Sequence, residues 1–197
     1  MKNLKSIVER YDLPFLKFLI CASLVSLALF ERLVFDLGPN VELITLVTFI
    51  AAFYLGRKEA LIVGITSLAI SDIFIGNTSI ALFTWSAYAV IALGAWFNKR
   101  FAKNWFSRIL IGTGGGAIAS FWFFLWTNFG VWLLDSWQMY PDNISGLLQS
   151  YIAGLPFLKL QLLGNLLFLP LGFGIVELGL LVYQKIFFTG KYSLYVS

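Results

Sequence analysis

The residue types that most often do chemistry are thin in this chain. It holds no histidine and one cysteine, Cys21. That removes the commonest general base and the commonest metal ligand. A Ser–His or Cys–His pair and an HExxH zinc site are thereby excluded. A Ser–Lys or an Asp–Asp arrangement stays open. However, the lysines fall at the ends of apolar runs, and Asp72 has no acid beside it in sequence. No catalytic residue, metal ligand or cofactor is expected, and a lone thiol makes no intrachain disulfide.

Three features remain that could act on a ligand or a neighbour. Gly112, Gly114, Gly115 and Gly116 form a Gly-Thr-Gly-Gly-Gly run. A phosphate cradle needs a Lys-Ser/Thr pair after the glycines, and Ala117-Ile118-Ala119 follows instead. Close helix packing through small residues is the reading that fits. Asp72 and Glu177 are acids inside or near apolar runs, where an ionised group is costly and faces a partner, a cavity or water. The third feature is a set of aromatic rings and neutral amides: Trp85, Tyr88, Trp122, Trp126, Asn128, Trp132, Trp137, Tyr140, Asn143, Gln149, Tyr151 and Asn165. A membrane-interface belt accounts for many such rings. Rings with amides among them also suit a flat, uncharged or weakly charged organic ligand. The candidate ligand contacts are Asp72, Trp85, Trp126, Asn128, Trp132, Tyr140, Tyr151 and Asn165.

The elements that must hold these residues are read from composition. Of the 197 residues only 12% are charged, against 59% hydrophobic and 18% aromatic. A water-soluble domain carries about twice that charged share, so most of the surface must face lipid. Six apolar runs read as transmembrane helices at about Phe15–Val34, Glu42–Gly56, Ala60–Phe74, Ser79–Phe97, Ile109–Thr127 and Leu160–Phe187. The second is short for a crossing, which takes about 20 residues. Pro170, Gly172 and Gly174 predict a kink in the sixth. A long link over Asn128–Lys159 is expected to hold a short interfacial helix, Gly146–Leu158, ended by Pro156. Residues 1–188 thus form one six-helix domain, with a short polar tail over 189–197. The polar segment Met1–Pro14 precedes a run without a small-residue cleavage site, which reads as a retained helix and not a signal peptide.

Sidedness follows from the basic residues. With six crossings and the N-terminus in the cytoplasm, twelve of the fourteen Lys and Arg fall inside, and Arg32 and Lys159 alone fall outside. Both termini are therefore expected to be cytoplasmic, in the cytoplasmic membrane. The same bias accounts for the net charge of +4 and pI near 9.2, so no nucleic-acid partner is expected. This orientation brings the aromatic and amide set to the outer face. On the first run, Ala22 and Ser26 stand four apart, a small-xxx-small spacing that lets a helix approach closely, from within the chain or from a partner subunit.

Several stretches together resemble the substrate-binding S component of energy-coupling factor (ECF) vitamin transporters. More closely, they resemble an uncharacterised bacterial branch of ECF-S-like membrane proteins. They are Arg32–Gly56, Ser71-Asp72, the run Thr127-Asn128-Phe129-Gly130-Val131-Trp132, Tyr140-Pro141 with Gly146-Leu147, Tyr151–Phe157 and Gly164-Asn165. The resemblance implies a six-helix fold with an outward-opening pocket for a small organic nutrient, such as a vitamin or its precursor. It also implies a transmembrane coupling subunit, contacted at Ala22 and Ser26, and two cytoplasmic ATPases. Serine at position 26 departs from the more usual alanine. The other reading is a membrane structural or assembly protein whose small-residue faces bind partner helices.

Overall fold

The computed structural model describes residues 14–35, 37–38, 40–76, 79–135 and 138–193, with side chains as far as residue 186. The polar N-terminal segment, Trp137 and the end of the tail lie outside the described residues. The described chain is helical, with no strand. Helix α1, Pro14–Phe30, ends in a π turn, Glu31–Phe35, and α2, Ile44–Ile50, ends in another, Ala51–Leu55. Then come α3, Arg57–Ile75, and α4, Ala81–Asn98, closed by a 3-10 turn over Lys99–Phe101. Last come α5, Trp105–Leu134, and α6, Ile144–Ser193.

Four of these are long and apolar enough to cross a membrane: Pro14–Phe35, Ala81–Phe101, Trp105–Leu134 and Ile144–Ile186. On α5 the inward stripe is rich in small residues and the outward face in large apolar ones. On α5 the buried set includes Gly112, Gly115, Gly116, Ala119 and Ser120, whereas Leu110, Ile118, Phe121 and Leu125 are exposed. On α3, Ala60, Val63, Gly64, Ser67, Leu68, Ser71 and Asp72 repeat at helical spacing on the buried face. Small inward residues allow close backbone approach, which drives helix association where the surroundings are themselves apolar.

Helix α2 is the centre of the bundle. Every residue from Ile44 to Leu55 is buried, as expected for a helix that is apolar on all sides. Its twelve helical residues are short because its neighbours, not lipid, surround it. The glycine run of α5 is a packing surface, as its sequence suggests. A Cβ at Gly112 would stand 2.6 Å from the Phe173 ring, and one at Gly115 would stand 2.9 Å from Phe49. At Gly116 the space is taken by Leu169.

The long link is shorter than its composition suggests. Helix α5 continues to Leu134, and α6 begins at Ile144. The separate helix expected over Gly146–Leu158 is instead the first part of α6, which continues through Pro156 and Pro170. Leaving backbone groups unpaired in an apolar medium costs several kcal/mol each, so a helix persists there past a proline that would end it in water. Asn143 starts α6 by accepting the Gly146 N–H at 3.0 Å. The tail expected from Thr189 remains helical as far as Ser193.

Candidate functional site

The π turn after α1 changes what a reading of regular helices would assign to Glu31 and Arg32. It turns both side chains inward: Glu31 is 4% exposed, and the Arg32 side chain 14%. The Glu31 carboxylate accepts the backbone N–H of Leu43 at 2.9 Å. That N–H opens α2, where helix donors lack an internal partner and negative charge is favoured. Arg32 donates to Glu42 at 3.3 Å and to Asp72 at 3.2 Å. Asp72, 3% exposed, also accepts the indole N–H of Trp85 at 2.8 Å. A guanidinium is thus held between two carboxylates, one of them steadied by a tryptophan from the next helix.

Arg32 and Glu42 form one wall of a cavity of about 320 Å³. The opposite wall is the end of α5, with Phe123, Thr127, Asn128 and Val131. Helix α6 contributes Ala153, Gly154 and Phe157, which share one helical face. Thr84, Ile80, Asn40, Tyr140 and Leu68 complete the lining. The hydroxyl of Thr127 donates to the Phe123 carbonyl at 2.8 Å, and that of Thr84 to the Ala81 carbonyl at 3.0 Å. With its proton so used, each oxygen keeps only acceptor capacity. The Asn128 amide donates to the Phe124 carbonyl at 2.8 Å and keeps its carbonyl oxygen as an acceptor. Gly154 makes room for it, since a Cβ there would overlap the Asn128 amide.

Of the eight candidate contacts, Asn128 and Tyr140 line the cavity. Asp72 stands behind the lining on Arg32, and Trp85 on Asp72. The other four serve the frame. Trp126 donates to the Ser86 hydroxyl at 2.9 Å and stacks on Trp122, with ring centres 5.6 Å apart. The Trp132 indole donates to the Pro141 carbonyl at 3.2 Å, which ties the link to α5. The Tyr151 hydroxyl donates to the Leu125 carbonyl at 3.3 Å. Asn165, 3% exposed, donates to the Ser120 hydroxyl at 2.8 Å and pins α6 to α5. Sequence reasoning missed Arg32, Glu42, Thr84, Thr127, Phe123 and Phe157. For Arg32 a signal exists: on the sidedness expected from the sequence it is one of two basic residues left outside, directly after an acid.

At the other end of the bundle a second buried polar group is satisfied within the chain. Glu177 accepts from Nε and Nη2 of Arg108, the latter at 2.7 Å, and from the Tyr54 hydroxyl. This joins α2, α5 and α6. Among the described residues no group of His, Cys, Asp and Glu could hold a metal ion. On α1, Ser26 is exposed and Ala22 half-buried, whereas Cys21 and Val25 pack on the core. Fold and site together define an all-helical protein with membrane-length apolar helices and a polar-rimmed cavity at one end of the bundle. The chain belongs to a family of unknown function, DUF6580, whose model matches residues 14–189. No curated protein and no solved structure matches it.

Proposed function

We propose that this protein is the membrane-embedded substrate-binding component of an uptake system for a small organic nutrient, such as a vitamin or precursor. In this reading all six helices cross the cytoplasmic membrane, both termini are cytoplasmic, and the cavity opens outward. The chain binds its substrate without transforming it. A separate transmembrane coupling subunit seats on α1 at Ala22 and Ser26, and cytoplasmic ATPases drive it, as the likeness to ECF S components implies.

One observation carries this reading: the cavity between the ends of α5 and α6, lined by Asn128, Tyr140, Thr84, Thr127, Phe123 and Phe157. At about 320 Å³ it suits a compact molecule, at the lower end of small-molecule sites. Three aromatic rings with neutral acceptors would hold a planar ring system by its face and its polar edge. The charged wall sets one guanidinium, Arg32, against two carboxylates, Glu42 and Asp72, so it would orient polar groups of a ligand and disfavour an anionic one.

The test is native mass spectrometry and thermal-shift screening of the purified protein in detergent across vitamins, nucleobases and their precursors. One compound should bind, and Asn128→Ala should weaken it about tenfold, the worth of one hydrogen bond. If the whole panel leaves the protein unliganded, the reading fails. The outward α1 face around Ser26 also suits the alternative, an assembly protein packing against partner helices. Its sign would be a stable complex with other membrane proteins, with no ligand and no ATPase among them.

A further inference from the structure

The cavity between α5 and α6 has a hydrogen-bonding pattern as well as a shape. Among the described lining residues Arg32 is the single cation. Its guanidinium already donates to Glu42 at 3.3 Å and to Asp72 at 3.2 Å. A carboxylate or phosphate on a ligand would have to share that guanidinium with two carboxylates beside it. Away from bulk water the repulsion between like charges is strong, so the contest disfavours the newcomer.

The neutral lining residues favour the same kind of ligand. Thr84 and Thr127 spend their hydroxyl protons on the Ala81 and Phe123 carbonyls, at 3.0 and 2.8 Å. What each hydroxyl has left to offer is an acceptor. Asn128 gives one amide proton to the Phe124 carbonyl at 2.8 Å and can offer its carbonyl oxygen. Asn40 and Tyr140 can donate or accept, so they do not decide the pattern. The lining is thus rich in acceptors on α4 and α5. An acceptor covered by a ligand that brings no donor loses its water and gains nothing in return. Resting on the reading of this cavity as a nutrient site, we propose that the substrate is an uncharged planar heterocycle whose edge carries N–H donors, as an amino or carboxamide substituent supplies, and that bears no carboxylate or phosphate. The volume of about 320 Å³ keeps that ring system compact.

The test uses the purified full-length chain in detergent and matched pairs of heterocycles: adenine against purine, 2-aminopyrimidine against pyrimidine, and nicotinamide against nicotinate. Calorimetric titration and native mass spectrometry are the readouts. In at least one pair the donor-bearing, uncharged member should bind about tenfold more tightly than its counterpart. Thr127→Val removes an acceptor with little change of shape. It should weaken the donor-bearing member about tenfold and leave the counterpart unchanged. A threonine bonded to its own helix adds no stability that valine lacks, so the fold should survive, and unfolding without ligand checks this. The pairs on the parent protein decide the question even without the variant. Equal or tighter binding of purine, pyrimidine or nicotinate would overturn the donor pattern and leave the cavity a nutrient site. So would a Thr127→Val protein that discriminates like the parent, or a ligand from the wider vitamin panel that bears a carboxylate or phosphate. An uncharged N–H-bearing heterocycle from that panel would support the proposal. Silence of the pairs and the panel together would instead remove the nutrient site itself, and this proposal with it.

Discussion

Glu177 is the residue whose removal should reveal most about how this bundle tolerates charge. It is 3% exposed and paired with Arg108, with the Tyr54 hydroxyl as a further donor. Taking one partner from a buried ion pair strands the other in a medium that cannot solvate it, at a cost of about 3–5 kcal/mol. Glu177→Ala and Arg108→Ala should each destabilise by about that amount, and the double variant by clearly less than the sum of both. Unfolding in mixed micelles measures this; single variants within about 1 kcal/mol of the parent would show the pair to be dispensable. The acid itself is legible in the sequence as an ionisable residue deep in an apolar run. Its partner is not, because Arg108 lies 69 residues away at the edge of the most basic segment. Arg32 is obscured for a similar reason. A charged pair at the end of an apolar run ordinarily reads as the water interface, and only the π turn aims it inward. Asn128 and Tyr140 are legible because amides and rings within apolar segments point to a ligand or a frame. The residues that became frame, Trp126, Trp132, Tyr151 and Asn165, are of the same types. Only geometry divides the two groups.

Besides the Arg108–Glu177 pair, helices α5 and α6 are held by a glycine face and an amide–hydroxyl pin between Asn165 and Ser120. The glycines are not equivalent, which makes a test with its own control. At Gly116 an added methyl would meet Leu169, and at Gly114 nothing lies within 4 Å. Gly116→Ala should therefore destabilise by about 1–3 kcal/mol through overpacking. Gly114→Ala should be neutral, or stabilising by up to about 1 kcal/mol, from helix propensity. Thermal unfolding of the two variants decides it, and equal loss at both positions would mean the glycine run is not a register-specific packing face. Its packing role is readable from the absent Lys-Ser/Thr pair. The ends of the helices are less readable, because aromatic and polar residues after Thr127 resemble a loop. The chain there stays helical, with Asp135 in the left-handed region at φ 30° as its stop. Pro156 misleads likewise, since the rule that proline ends a helix assumes water as the alternative partner for backbone groups.

At the scale of the whole molecule, the apolar runs read from the sequence correspond to the helices described, but length and apolarity alone qualify four of them as spans. Helix α2 is too short and α3 carries Arg57, Lys58, Glu59 and Asp72. Their burial offers a physical reason why they could still cross. The α2 segment meets only protein over Ile44–Leu55, and Lys17 of α1 neutralises Glu59 at 2.6 Å. An even number of crossings also separates charge along the bundle axis. On the proposed sidedness, among the described residues, Glu31, Glu42, Asp72, Asp135 and Asp142 lie toward the outside with Arg32 and Lys159, while the other described basic residues lie inside. Four crossings with α2 and α3 both re-entrant would keep the same sidedness for α4 to α6. A single re-entrant helix would reverse it, because α4 would then cross in the opposite sense. Two exposed positions report on this: Ser145 at the start of α6 and Lys103 between α4 and α5. In a Cys21→Ser background, Ser145→Cys should react with a membrane-impermeant maleimide on intact cells, and Lys103→Cys only after the membrane is opened. Reversed labelling would overturn the orientation, and with it the outward opening of the ligand cavity. Labelling at both positions in intact cells would show that α5 does not cross at all.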